Sequence, residues 1–276
     1  MAQTVGEARA WSGRAVVVDL LRCSTTICAL VKSGRKDIRL FSSPQYAKAV
    51  WLAEMSCPRQ AAVPEALCRG LAEKNCDFFS ELELGSFSGK FDNSPHLALF
   101  SGDPSRPALL VTGSGTPAIM SLGNARQILA GCFANLPALL DYLKSAPDDT
   151  LIVPACLYLD PSHVEDFLCS EAIADGLQGR DTVPEAIGKI HSSGRPLDFI
   201  AGRPETGEKD LRIALDAGCL PVVPQITIRR GYAAVTRVSA TTALADPPEK
   251  CGGEGIHPRK APGADGSPEG TLTGPG

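Results

Sequence analysis

The stretch Asp19-Leu20-Leu21-Arg22-Cys23-Ser24-Thr25-Thr26 puts a carboxylate, a guanidinium and three hydroxyls directly after the apolar run Ala15-Val16-Val17-Val18. That combination suits an anion. Amides opening a helix, together with the Ser24, Thr25 and Thr26 hydroxyls, can hold phosphate oxygens, and Arg22 can close on them with a two-pronged hydrogen bond. Asp19 is then placed either to ligate Mg²⁺ or to attack phosphorus as a nucleophile. The same residues have a plainer use, with Ser24 as a helix N-cap and Asp19 ion-paired to Arg22. Local spacing does not choose between the two.

Three further groups could carry chemistry. Thr112-Gly113-Ser114-Gly115-Thr116 follows a second apolar run, and its glycines would let backbone approach an anion, with Thr112, Gly115 and Thr116 as phosphate-binding candidates. On the residues alone, a tight turn capped by Thr116 with Pro117 at the first helical position is favoured. His163-Val164-Glu165-Asp166 places two acids in a helix's first turn, where Glu165 and Asp166 could ligate Mg²⁺ or move a proton. Glu165 is also the partner that completes a capping box with Ser162, which is the preferred reading for it. In Phe91-Asp92-Asn93-Ser94-Pro95, Asn93 and Ser94 could close over a ligand, and an Asx turn before proline explains them equally well. Cys169 has no evident histidine partner, and His96, His163, His191 and His257 lack metal-ligand spacing, so none of these is assigned a role.

The elements that must position these groups follow an α/β pattern. Ala15–Val18, Ala108–Val111 and Leu151–Val153 read as buried strands leading through polar loops into helices, the last ending near Leu177, and Gln127–Gly131 reads as a shorter strand. Helix starts are expected at Ser43-Pro44, Thr116-Pro117 and Ser162. Alternation of this kind predicts an α/β/α sandwich with helices on both faces of the sheet and ligands at the carboxyl edge of its strands. Between Ser56 and Asp103 the periodicity weakens, and Gly85–Pro95 reads as a long functional or poorly ordered loop. Gln225–Ile228 and Tyr232–Val238 flank Arg229-Arg230-Gly231 as a terminal hairpin. The expected domain is residues 1–244, with two subdomains as an option; residues 245–276, rich in Pro and Gly, read as a disordered tail.

Composition narrows the class. With 276 residues, 43% of them hydrophobic, the chain can bury a large core. A net charge of -4 with no basic run offers nothing to nucleic acid or an anionic membrane, and no run is long enough to span a bilayer or resembles a signal peptide. The expectation is a cytoplasmic protein whose partner is a small molecule, with a homo-oligomer left open. Ten scattered cysteines without Cys-x-x-Cys spacing read as reduced, mostly buried thiols.

Taken in order, Val17–Ile27, Phe91–Pro95, Gly115-Thr116-Pro117-Ala118-Ile119, Gly131–Asn135 and Glu165-Asp166-Phe167-Leu168-Cys169 resemble the successive motifs of the 2-phosphosulfolactate phosphatase (ComB) family, from about Ala15 to Gly218. The resemblance implies an α/β/α fold and Mg²⁺-dependent hydrolysis of 2-phospho-3-sulfolactate to 3-sulfolactate and phosphate, a step of coenzyme M biosynthesis. It implies Asp19 as nucleophile or metal ligand, Arg22 as a clamp on the phosphate, and Asp166 as an aid to metal or water. The chain also departs from the family pattern. Ser80-Glu81-Leu82-Glu83-Leu84-Gly85 stands where Gly-Glu-Arg-Gly-Gly is usual, Ser114 and Pro117 replace an asparagine and an arginine, and Cys156-Leu157-Tyr158-Leu159-Asp160 replaces Gly-Thr-Glu-Gly-Arg. Each lost charge-assisted hydrogen bond is worth roughly 1.5 to 3 kcal/mol. The departures point to a less anionic substrate or to weak activity, and the alternative is a catalytically impaired relative that serves as a ligand-binding or interaction protein.

Overall fold

A computed structural model describes residues 1–43, 76–82 and 91–238. Within them, strands β1 (Arg14–Val18), β2 (Ile38–Phe41), β3 (Asp77–Ser80), β4 (Ala108–Val111), β5 (Gln127–Gly131), β6 (Thr150–Pro154), β7 (Pro224–Ile228) and β8 (Ala233–Arg237) form one mixed sheet. Its order is β3-β4-β2-β8-β7-β5-β1-β6. The helices among these residues are α1 (Val5–Ala10), α2 (Cys23–Lys32), α3 (Pro95–Phe100), α4 (Gly115–Ser121), α5 (Leu136–Ser145), α6 (Val164–Leu177), α7 (Val183–Ser192), α8 (Arg195–Ala201) and α9 (Gly207–Leu215). The α/β sandwich expected from the alternation of elements is the fold observed.

The central strands read as unbroken apolar runs because both of their faces are covered. All five residues of β1 are buried, and Arg14 at its start is accommodated by donating to Gln127 Oε1 at 2.7 Å and to the Ala146 carbonyl at 2.8 Å. Helix α2 is buried along nearly its whole length, from Cys23 to Val31, and packs on α3, β5 and β8. Its polar residues Ser24, Thr25 and Thr26 are tolerated in the interior because each hydroxyl donates to a backbone carbonyl.

Two parallel triads make up the sheet, β3-β4-β2 and β5-β1-β6, and the β7–β8 hairpin joins them, antiparallel to β5 on one side and β2 on the other. The triads therefore run in opposite directions along the sheet. Their carboxyl ends nevertheless meet: Ser114, just past β4, hydrogen-bonds Asp19, just past β1, and helix α4 packs on β1 as well as on β2. The loops after β1 and β4 end up against one another. Gly115 marks the closest approach, since a Cβ there would lie 2.4 Å from Cys23 Cβ and 2.6 Å from Asp19 Oδ2. The glycine expected to admit an anion admits the neighbouring loop.

Several local expectations are corrected. Ser24 is not a cap: α2 begins after Arg22, and Ser24 lies inside the helix, taking the Asp19 amide and donating to the Val17 carbonyl, both at 3.0 Å. The end of α2 is capped instead by Asp19, whose Oδ1 accepts from the Cys23 amide at 3.0 Å and whose carbonyl accepts from the Ser24 amide at 2.9 Å. Thr116 is not a cap either. Helix α4 starts after Ser114, and Thr112 and Thr116 lock the turn by exchanging hydroxyl and amide contacts at 2.9 and 3.0 Å. The Ser162–Glu165 capping box does not form, because the residue before α6 is His163 and Glu165 turns inward to Arg195 at 3.0 Å. A cation offers a buried carboxylate more than an exposed amide does.

Part of the stretch in which periodicity weakens is regular structure. Asp77–Ser80 is β3, and Ser94 caps α3 by accepting the Leu97 amide at 3.1 Å. Residues 83–90, the helix expected after Ser43-Pro44 and the segment from Ala245 onward lie outside the described residues. Seven cysteines are described, all with free thiols and six of them buried. Among the described residues no helix is long and apolar enough to cross a membrane.

Candidate active site

The site is built where the loops after β1, β4 and β6 converge. Asp19 sits one residue past β1, 3% exposed, with Oδ1 on the Cys23 amide and Oδ2 receiving the Ser114 hydroxyl at 2.8 Å. Asp166, in the first turn of α6, accepts from the Leu20 amide through Oδ1 at 2.8 Å and from the Cys156 amide through Oδ2 at 2.9 Å. One carboxylate thus staples the loop after β1 to the loop after β6.

Glu81 does the corresponding job in the other triad. It follows β3, and its Oε1 takes the Gly113 amide of the loop after β4 at 2.8 Å. Nothing in the sequence marked Glu81 as a site residue, since it lies in the stretch where periodicity fails.

These acids stress one another. Burial pushes the Asp19 carboxyl above its ordinary range; the Ser114 and Cys23 hydrogen bonds oppose the shift, and the charge of Glu165 adds to it. Burial and then the charge of Asp19 hold Asp166 well above the usual carboxylate range. Burial also raises Glu81, against the pull of the Gly113 amide. The Cys23 and Cys169 thiols are raised well above normal, chiefly by burial, which suits inert thiols rather than nucleophiles.

Arg22 faces away from Asp19. Its guanidinium forks onto Asp92, at 2.5 and 2.8 Å, and reaches Asp210 at 3.2 Å, so the Asp19–Arg22 ion pair weighed in the sequence is absent. Burial works against the Arg22 charge, and the two aspartates more than offset it. Asp210 also accepts from the Ser94 hydroxyl at 2.6 Å and the His96 amide at 3.1 Å, which ties α9 to α3.

The remaining hydroxyls are committed to backbone as well. Thr25 donates to the Leu20 carbonyl at 2.8 Å, and Thr26 to the Asn93 carbonyl at 3.3 Å. Two kinds of free group remain. Among the described residues, the amides of Leu21 and Arg22 in one loop and of Ser114 and Gly115 in the other donate to no protein acceptor. Asn93 Oδ1 and Glu165 Oε2 are buried without a hydrogen-bond partner. Unmatched amides beside a carboxylate cluster are what an anion accompanied by a cation would satisfy.

No three histidines, cysteines or carboxylates among the described residues stand together as a metal cluster. Magnesium keeps several waters and is held by one or two carboxylates plus substrate oxygens, so a full protein cage is not required of it. Asp19 and Asp166, both raised by burial and both with unused lone pairs, fit that need, and the partnerless Glu165 Oε2 belongs to the residue before Asp166, whose charge acts on both.

An α/β fold with buried acids and free amides at its strand ends offers the donors that a small anion needs. Comparison with known proteins places it more narrowly. A family model described as 2-phosphosulpholactate phosphatase matches residues 2–192, and the chain belongs to that family. It is 24% identical over 196 residues to a probable 2-phosphosulfolactate phosphatase of Cyanothece sp. (strain PCC 7425 / ATCC 29141), covering 70% of this chain and 67% of that one. It is 27% identical over 161 residues to one of Gloeothece citriformis (strain PCC 7424), covering 58% and 60%. A probable 2-phosphosulfolactate phosphatase of Symbiobacterium thermophilum is 28% identical over 167 residues, covering 60% and 64%. The chain thus spans between 60% and 67% of the length of these relatives. The family match stops at residue 192, before the segment that supplies Arg195, Phe199, Arg203 and Asp210.

Proposed function

We propose that the chain is a Mg²⁺-dependent phosphoric monoester hydrolase that converts 2-phospho-3-sulfolactate, or a related phosphorylated hydroxy acid, to the free hydroxy acid and phosphate. The observation that carries this reading is Asp19, buried at the end of β1 and aimed by Ser114 and the Cys23 amide, with Asp166 held beside it. The free amides of Leu21, Arg22, Ser114 and Gly115 would take phosphate oxygens. In the transition state they would stabilise charge developing on the equatorial oxygens.

Asp19 acts either as the nucleophile on phosphorus or as a ligand of Mg²⁺, and both roles need it ionised. Asp166, and on charge Glu165, would complete the cation site, and Mg²⁺ when bound would offset the charge of the ester. Asn93 and Ser94 line the turn that carries the Thr26 contact; Thr112 and Thr116 shape the β4 turn. Arg22 contributes its charge from a fixed position, because meeting a phosphate directly would require it to release Asp92. The small anionic ester is the one partner this reading requires. A cytoplasmic protein serving coenzyme M biosynthesis is the setting it suggests.

A second reading, a relative that binds its ligand without hydrolysing it, is favoured by one observation: the guanidinium expected to clamp phosphate is already occupied by Asp92 and Asp210. Phosphate release from phosphosulfolactate and a panel of phosphorylated hydroxy acids, with Mg²⁺ and with EDTA, separates the two. Metal-dependent turnover that disappears in Asp19→Asn supports hydrolysis; a folded chain that releases no phosphate from any ester supports the binding protein.

A further inference from the structure

Three guanidiniums gather at this end of the molecule, and they differ in what answers their charge. Arg22 has Asp92 and Asp210, and Arg195 donates its Nε to Glu165 Oε1 at 3.0 Å. Arg203, in the turn between α8 and α9, has neither a hydrogen bond nor an ion pair from its guanidinium to any described residue, although it is partly buried. Its contact is the face of Phe199, 4.6 Å from guanidinium carbon to ring centroid. The Arg22 guanidinium lies 5.7 Å from the same centroid, so one ring carries both cations.

The position is built. The Gly207 amide donates to the Arg203 carbonyl at 2.7 Å, and a Cβ at Gly207 would come within 2.9 Å of Ile200 Cα and 3.2 Å of Arg203 Cβ. The turn is therefore drawn tight under Arg203 by a residue with no side chain. Burial, and then the like charge of Arg22, weigh against the Arg203 cation, with Arg195 adding to the repulsion. Asp92, which Arg22 already holds, and then Glu81 favour the Arg203 cation without touching it, and Glu81 is itself raised by the charge of Asp19, so Glu81 is within electrostatic reach of both Arg203 and Asp19. A half-desolvated cation next to two others, without an anion of its own, gains most from an incoming acid.

We propose that Arg203 binds the acid group of the substrate that is not hydrolysed, the sulfonate or carboxylate carried on the carbon chain, while the ester phosphate sits at the Asp19 loop. This rests on the phosphatase reading for the site as a whole. It supplies a cation from a segment outside the family match.

The test compares 2-phosphosulfolactate with 2-phospholactate, which lacks the sulfonate, using the full chain and the variants Arg203→Met and Arg203→Lys. Methionine keeps an apolar stem over Phe199, and thermal unfolding checks that both variants fold. One lost charge-assisted contact should raise KM for phosphosulfolactate about tenfold or more in Arg203→Met, with kcat held within about twofold and partial recovery in Arg203→Lys. If KM rises for phosphosulfolactate alone, the sulfonate is the partner; if it rises equally for both esters, the carboxylate is. Unchanged KM for both, or a fall in kcat alone, overturns the proposal. Should the wild type hydrolyse neither ester, calorimetric titration with 3-sulfolactate decides: binding weakened about tenfold in Arg203→Met sustains the role of Arg203 without the phosphatase reading, and binding that is absent or unaffected refutes it.

Discussion

Ser114 reaches from the loop after β4 to donate its hydroxyl to Asp19 Oδ2 at 2.8 Å, joining residues 95 positions apart and drawn from sheet triads that run in opposite directions. That hydrogen bond favours the ionised carboxylate against the burial that would protonate it. In Ser114→Ala the Asp19 carboxyl should rise further above its ordinary range. The acid limb of the kcat/KM profile should move to higher pH, with activity near neutrality down about tenfold, roughly 1.4 kcal/mol. Phosphate release measured across pH checks this; an unmoved limb would mean that Asp19 ionisation does not govern the rate.

Asp166 and Asp19 also make stability depend on pH. Both carboxyls are raised in the folded chain, so the folded state holds their protons more tightly than the unfolded state does. Their contribution is therefore full below the ordinary carboxylate range, near pH 4, and is lost as pH rises through the folded values. Metal-free protein should lose stability through this pair as pH rises above about 4, and Mg²⁺ should restore it by about 2.7 kcal/mol at a hundredfold excess over Kd. Thermal melts in EDTA and in MgCl₂ read the effect. Asp166→Asn should flatten the slope, and slope is the quantity to compare, because Asn cannot accept both the Leu20 and the Cys156 amides.

Gly115→Ala should be far costlier than alanine at an ordinary helical glycine. Its methyl would meet Cys23 Cβ at 2.4 Å and Asp19 Oδ2 at 2.6 Å, forcing the two loops apart. A loss of about 1 to 3 kcal/mol and of most activity is expected. Gly123→Ala is the control: a Cβ there meets nothing within 4 Å, and stability should change by no more than about 0.5 kcal/mol. Urea unfolding of both variants gives the comparison.

Arg22→Met should destabilise the fold by about 3 to 5 kcal/mol, because it leaves the fully buried Asp210 without its cation. Adding Asp210→Asn removes the stranded charge, so the double variant should be more stable than the sum of the single changes predicts. Strict additivity in urea unfolding would show that the pair does not act as a unit.

What could be read from the residues alone depends on whether their partners are near in sequence. Strands β1, β4, β5 and β6 and the β7–β8 hairpin show themselves as apolar runs with turn residues at their ends. Strand β3 hides because Asp77 opens it, and the buried aspartate is explained by partners distant in sequence, Arg35 at 2.6 Å, the Asp103 amide at 2.8 Å and Arg106 at 3.3 Å. Among site groups, Asp19 and Asp166 are legible from their places at a strand end and a helix start. Arg22 looks like a phosphate clamp until Asp210 appears beside it, a contact across 188 positions that no local pattern encodes. Glu165 misleads for the same reason, since Arg195 outcompetes the nearby Ser162 for it.

The β7–β8 hairpin has a consequence for how the molecule is made. It is the last of the described strand pairs to leave the ribosome, yet it occupies the middle of the sheet. Until residues 224–237 emerge, β2 and β5 each present an unpaired edge, and the loops that carry Asp19 and Ser114 have no continuous sheet to hold them face to face. Chains interrupted during synthesis after β5 and before Pro224 would thus carry two sticky borders and no assembled site, a natural substrate for chaperones or proteolytic clearance.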